Sequence, residues 1–291
     1  MKRTILFIII AFLFLPVFIF ADTSVDYLEG ILEVQKSGSW QEVGIGDELS
    51  DSATLKLSGD GYAELLVGNS IVSLSRDGTY EVRELMRGSA SVAATSLDLK
   101  KKLTLSTGNE KWQHEATMGV RGAEASVSDS TGMEDAFTYL YAGMKLLDQD
   151  DYEEALINFE EGWEFFEDQN CLFFSAICYD ALGQKRDYAR SLQDVEIDSL
   201  EKEFQGAYVI RMSDLLIRSL SYDDAVKLIK GFESSNASLS SDEEQQIQFL
   251  KGTAYLGSGS KQNAKSAYQK AKDLAPSTPV GQQASQALSS L

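Results

Sequence analysis

One histidine, two cysteines and three prolines in 291 residues remove several kinds of chemistry at the outset. His114 stands alone in "KWQHEATMG". A zinc site built on imidazoles therefore lacks a second ligand, and a Ser-His-Asp triad lacks a nucleophile elbow in support. Cys171 and Cys178 lie seven apart in a stretch that reads as one helix. Helical geometry then puts their α-carbons about 10 Å apart, too far for a disulfide. Both read as small buried apolar residues, with an intermolecular bridge as the alternative. "GNS" and "GSGS" lack the lysine or the spacing of a phosphate loop, and "DQDDYEE" and "SSDEEQQ" do not follow the order of a calcium loop. No cofactor, no metal and no enzymatic activity are expected.

Basic charge is also scarce. There are 26 Lys and Arg against 45 Asp and Glu, a net charge of −19. Such a surface repels phosphate backbones and anionic headgroups, so neither nucleic acid nor a membrane surface is an expected partner. Lys100 to Lys102 form a short basic run that reads as a solvated turn or an edge strand. Contact with an anionic cell-wall polymer is the alternative use of that run.

Long apolar runs are missing too, with one exception. Ile5 to Phe20 is apolar, follows Lys2 and Arg3, and is closed by Ala21 ahead of "DTSVD". That is the layout of a secretory signal peptide over residues 1–21, and it predicts export to the periplasm or cell envelope. Ile19 occupies a place where a small residue is usual, so an uncleaved N-terminal anchor in the membrane stays open, although the run is short for a span. Without the first 21 residues the charge is 24 basic against 45 acidic, or −21.

What is present divides into two periods. Residues 22–128 alternate with period two in "GILEVQ", "ATLKLS", "YAELLVG", "SIVSLS", "TYEVRELM", "SASVAAT" and "LTLST". "SGDG", "GNS" and "RDG" punctuate them as turns, which predicts an all-β antiparallel sandwich or β-roll. After a linker at 129–132 the period becomes helical over 133–291, with no proline inside the helical stretches before Pro276. Tyr139, Ala142, Gly143, Leu146, Ala155, Phe159 and Gly162 keep one repeat spacing, and Gly252, Tyr255, Gly259, Ala264, Tyr268, Ala271 and Pro276 keep it in a later copy, with twelve residues from glycine to alanine in each set. Leu216, Tyr222, Ala225, Ile229 and Phe232 form another copy, and Ala176, Tyr179, Gly183, Tyr188 and Leu192 a degenerate one. This spacing resembles the tetratricopeptide repeat and predicts an all-α solenoid of about four repeats closed by the helix in "PVGQQASQALSSL".

The β half resembles the FecR family of periplasmic domains through "GILEVQKSGSW", "VGIGDELSDSATLKLSGDGYAELLVGNSIVSLS", the Gly46-Asp47 pair and the Val-Arg-Gly triplet at Val120 to Gly122. Ala123 and Ala125 depart from the usual family ending. The resemblance implies the fold and the exported location. It does not extend to sigma-factor signalling, for which the few residues before the apolar run are too short. Within "MGVRGAEASV", Gly119 and Gly122 read as permitting a bend or bulge, with Arg121 bonding carbonyls or a carboxylate to close the sheet. A ligand-binding role for Arg121 is the alternative.

The tetratricopeptide resemblance implies that the first helix of each repeat lines a concave, peptide-holding face. Leu140, Phe173, Ile210 and Phe249 take equivalent places there, with Phe137, Met144, Ile177, Ile217 and Leu256 one turn away. All nine are apolar, so they read either as a groove for a partner segment or as packing within the solenoid or under the β domain. The function expected is a non-enzymatic exported scaffold whose helical half grips a protein and whose β half docks a second protein or cell-wall material. A sensor signalling through an uncleaved N-terminal helix is the alternative.

Overall fold

A computed structural model describes residues 23–90, 136–235 and 239–291. The signal segment, the linker, His114 and the bend at Gly119, Arg121 and Gly122 lie outside the described residues. Within them stands an antiparallel β-sheet followed by helices, in two domains as the change of period predicts.

Strands β1 (Thr23–Lys36), β2 (Ser39–Glu42), β3 (Glu48–Leu49), β4 (Thr54–Val67), β5 (Ser70–Leu74) and β6 (Gly78–Glu81) form one six-stranded sheet. The two 14-residue strands β1 and β4 run antiparallel along their length. One half of β4 carries β6 and the other carries β5, while β1 carries β2 and β3. Both halves contribute to a single core, with Leu32, Val34, Leu55 and Leu57 from one and Val25, Leu65, Val67 and Val72 from the other. The sheet folds over that core where register shifts at Val25/Tyr27 and Glu29/Ile31. Two glycines meet at the fold: a Cβ on Gly30, held at φ +89°, would sit 2.7 Å from Gly61 Cα.

Two sequence expectations are corrected here. "SGDG" is no hairpin turn but an irregular stretch inside β4, held where the Asp77 carboxylate accepts from the amides of Asp60 (3.3 Å) and Gly61 (3.2 Å). "TYEVRELM" is a strand only to Glu81. Val82–Ala90 is helix α1, because Val82, Leu85 and Ser89 recur at helical spacing and are the residues it buries. "GNS" is a tight connection as expected, with Gly68 at φ +59° between β4 and β5.

The helices fall into four pairs: α2 (Ala136–Leu147) with α3 (Tyr152–Phe166), α4 (Gln169–Ala181) with α5 (Lys185–Asp194), α6 (Lys202–Arg218) with α7 (Tyr222–Ser234), and α8 (Ser241–Gly257) with α9 (Lys261–Leu274). One register repeats through all of them. Buried Gly143, Ala176, Ser213 and Gly252 on the first helix of each pair stand sixteen residues before buried Phe159, Leu192, Ile229 and Tyr268 on the second. The small residue makes room for the large one. A Cβ on Gly143 would lie 2.4 Å from the Phe159 ring, and one on Gly252 2.6 Å from the Tyr268 ring. Seven residues beyond each small residue the connecting turn enters the left-handed region, at Asp150, Gly183, Leu220 and Gly259.

Helix α10 (Pro279–Ser290) closes the C-terminal end. The Thr278 hydroxyl caps it by accepting from the Gly281 amide at 3.1 Å, and Pro279 occupies its first turn. Gly281, Ala284 and Ala287 face inward, while Gln282, Gln286 and Ser289 face water, which is the polar outer face that a stacked array needs at an end.

Candidate functional site

Of the nine apolar residues expected to line a groove, seven lie in the core: Leu140, Met144, Phe173, Ile177, Ile210, Ile217 and Phe249 are each under 9% exposed. Leu256 is half-buried against the C-terminal core, and Phe137 is 48% exposed. The cause is that these positions face other helices of the stack, in the next pair or within their own, instead of a cleft. Phe173 meets Tyr208 of α6 edge-on at 6.1 Å, and Phe249 tilts against Tyr268 of α9 at 5.3 Å. Packing within the stack, the alternative reading of these residues, describes where the seven side chains are. Cys171 and Cys178 are likewise buried and free, and burial pushes the Cys178 thiol up to about 12.

The β-sheet sits against α5, the end of α6 and the turn that follows. Glu64, on β4 and 1% exposed, is the centre of this seam. Its carboxylate pairs with the Lys185 ammonium, accepts from the Tyr62 hydroxyl at 2.9 Å and lies 3.7 Å from the Arg218 guanidinium. Asp214 holds the other side of Arg218 at 2.9 Å. The Lys185 ammonium also lies 4.5 Å from the Tyr27 ring centroid, and Arg186 reaches Glu29 at 3.4 Å. Burial raises the Tyr62 phenol well above its usual range, so it stays a proton donor to Glu64.

The seam has an apolar anchor as well. Leu220 is at φ 58°, where a leucine costs about 1–2 kcal/mol and where the second and fourth pairs place Gly183 and Gly259. Its side chain packs on both cores, and a Cβ on Gly88 would come within 2.8 Å of it. Beside it the Tyr222 hydroxyl donates to the Gly88 carbonyl at 3.0 Å. Strain in the third turn is offset by contact between the domains.

The first helical pair differs from the rest in what it leaves outside. Phe165 is 62% exposed, Ile157 49%, Phe166 41% and Tyr141 38%. Tyr141 stacks on Phe137 at 6.3 Å, and Tyr139 lies between Phe165 and Phe166 at 6.2 and 5.9 Å. Tyr139 thus joins the start of α2 to an aromatic face at the end of α3, while Phe137 and Tyr141 stand on the other flank of α2. Around it stand exposed Glu161, Glu164 and Glu167, and among the described residues no lysine or arginine pairs with them. Glu167 closes α3 at φ 54°, a position usually given to glycine. Sequence reasoning passed over this face, although "WEFFED" carried a signal: adjacent phenylalanines sit among acids on the outside of an amphipathic helix.

A groove of about 710 Å³ runs between α7, α8 and α9, but its charges are matched within the chain, Lys251 to Glu233 at 2.5 Å and Lys270 to Glu244 at 2.8 Å. Among the described residues no group of three or more His, Cys, Asp and Glu side chains is placed to hold a metal ion.

No known protein family matches the chain, and no curated protein matches it. Among solved structures, the MamA RS-1 ArsTM double mutant is similar over 54% of this chain and 93% of its own, at 21% identity and a TM-score of 0.39. That likeness is too loose to carry an argument.

Proposed function

We propose that the chain is an exported, non-enzymatic adaptor of the cell envelope, in which a tetratricopeptide-like stack presents a partner-binding surface and a FecR-like β-sheet is held rigidly against it. The single observation that supports this reading is the aromatic face of the first helical pair. A helical stack covers its ends with polar surface, as α10 does at the C-terminal end, whereas among the described residues the first pair leaves Ile157, Phe165 and Phe166 exposed. Aromatic residues in water near the edge of a rigid support are what protein interfaces use as anchors. The buried seam at Glu64 and Leu220 gives the two domains one relative placement, so whatever the sheet contacts is held at a fixed distance from the partner. The sheet's own role, docking to a second protein or to wall polymer, rests on the exported location.

Two measurements test the reading. The mass of the mature N-terminus decides export: a chain beginning at Asp22 is expected, and a retained Met1 would favour the anchored sensor. Crosslinking in intact cells with native protein and with Phe165→Ser/Phe166→Ser should recover a protein partner from the first and lose it from the second. Equal recovery removes the aromatic face from the account.

A further inference from the structure

We infer that the aromatic face of the first helical pair takes a basic, amphipathic segment of its partner, one that sets lysines or arginines beside apolar anchors. The inference rests on the reading of that face as a partner surface and adds the chemistry of what it binds. Between residues 136 and 168 ten acidic residues stand against one base, Lys145. The imbalance is not spent inside the chain. Asp168 accepts from the Cys171 amide as the cap of α4, Glu160 accepts from the Tyr179 hydroxyl, and Asp150 from that of Tyr152. Glu161, Glu164 and Glu167 have no cationic partner among the described residues, and all three are exposed within one turn of Phe165 and Phe166.

One other region of the stack treats its charges differently. Around the groove of α7, α8 and α9 each lysine of the wall faces a carboxylate of the same chain, Lys251 to Glu233 and Lys270 to Glu244. Like carboxylates held close together without a counter-charge repel one another, by a modest amount each in water. A basic segment removes that repulsion on binding, and Phe165 and Phe166 supply the apolar contact that charge alone lacks. An acidic or neutral segment gains only the second. Specificity is therefore set by the carboxylate rim and anchoring by the rings, which is the division seen at interfaces with an apolar centre and a polar border.

The probe is a labelled synthetic peptide of about 18 residues, long enough for five helical turns, with lysine on one face and leucine on the other. Its counterpart replaces every lysine by glutamate. Binding of each to the purified mature chain is read by fluorescence anisotropy. The lysine peptide is expected to bind, the glutamate peptide not, and raising the salt from low to about 0.3 M should weaken binding about tenfold. Phe165→Ser/Phe166→Ser should weaken the lysine peptide at least tenfold at unchanged net charge, and Glu161→Gln/Glu164→Gln/Glu167→Gln should do so with the rings intact. Asp148→Asn/Asp150→Asn/Asp151→Asn removes the same number of charges at the α2–α3 turn and should change little; if it weakens binding as much, attraction is general and the inference fails. Circular dichroism confirms that each variant is folded. Equal binding of both peptides, or none of the lysine peptide, overturns the inference. If crosslinking in cells still depends on Phe165 and Phe166 in that case, the partner surface stands and only its chemistry is wrong. Concentration-dependent dimers that vanish in Phe165→Ser/Phe166→Ser would assign the face to a second copy and overturn it as well.

Discussion

Glu64→Ala removes the one carboxylate that faces two cations across the seam. Lys185 and Arg218 would then confront each other, with Asp214 left to balance Arg218 alone. Breaking a fully buried ion pair from one side costs about 3–5 kcal/mol. Here the carboxylate is 2% exposed, but the cationic side chains are 26% and 24% exposed and water screens them, so about 2–3 kcal/mol is the expected loss. The Tyr62 hydroxyl also loses its acceptor, though Ser73 Oγ at 3.2 Å partly replaces it. For a chain of this size that loss lowers the melting temperature by about 4–12 °C. Scanning calorimetry should show the single transition of the native chain falling and splitting in two, as the sheet and the helical stack separate. Lys185→Ala should add little to Glu64→Ala, since both break one network. A shift under about 2 °C with one undivided transition would refute the claim that this cluster couples the domains.

The stack itself makes sharper stability predictions, each read by chemical denaturation. Gly252→Ala forces a methyl into the Tyr268 ring and should destabilise by about 1–3 kcal/mol, whereas Gly231→Ala, on α7 with nothing within 4 Å of the new carbon, should stabilise by up to about 1 kcal/mol. Asp150→Gly should relieve the left-handed turn of the first pair by about 1 kcal/mol, while Leu220→Gly should gain nothing net, because the same relief is offset by the lost contact between the cores. Burial raises Tyr188 and Tyr208 to about 12 from the ordinary 10. A raised phenol adds stability that is complete below pH 10 and is lost as pH climbs through 12, so alkaline unfolding should begin only above pH 10 and coincide with phenolate absorbance.

The helical half was legible because its constraints are local. A glycine that must admit a ring and an alanine twelve residues on leave a spacing in the chain, and Gly143 with Ala155 and Gly252 with Ala264 display it. The degenerate second copy was recoverable for the same reason, since Ala176 and Leu192 keep the sixteen-residue register. Which face of each first helix meets a neighbour was not legible. Phe173 and Phe249 are apolar whether they line a groove or touch Tyr208 and Tyr268, and only the packed helices decide. In the β half, "SGDG" carries the composition of a turn, yet its amides are held by Asp77, sixteen residues or more away, and the strand continues. Val82, Leu85 and Ser89 satisfied a helical period that the preceding alternation of Gly78–Glu81 masked. Leu220 could not be found from sequence at all, because a leucine in a left-handed turn reads as an error until the two cores that hold it are seen.

The most direct test places a photo-crosslinking side chain at Ile157, Phe165 or Gln286, one position at a time, in intact cells. The account predicts a discrete protein adduct from Ile157 and Phe165 and none from Gln286 on the polar closing helix. Adducts from Gln286 alone, or from none of the three while the chain is present and folded, would contradict it.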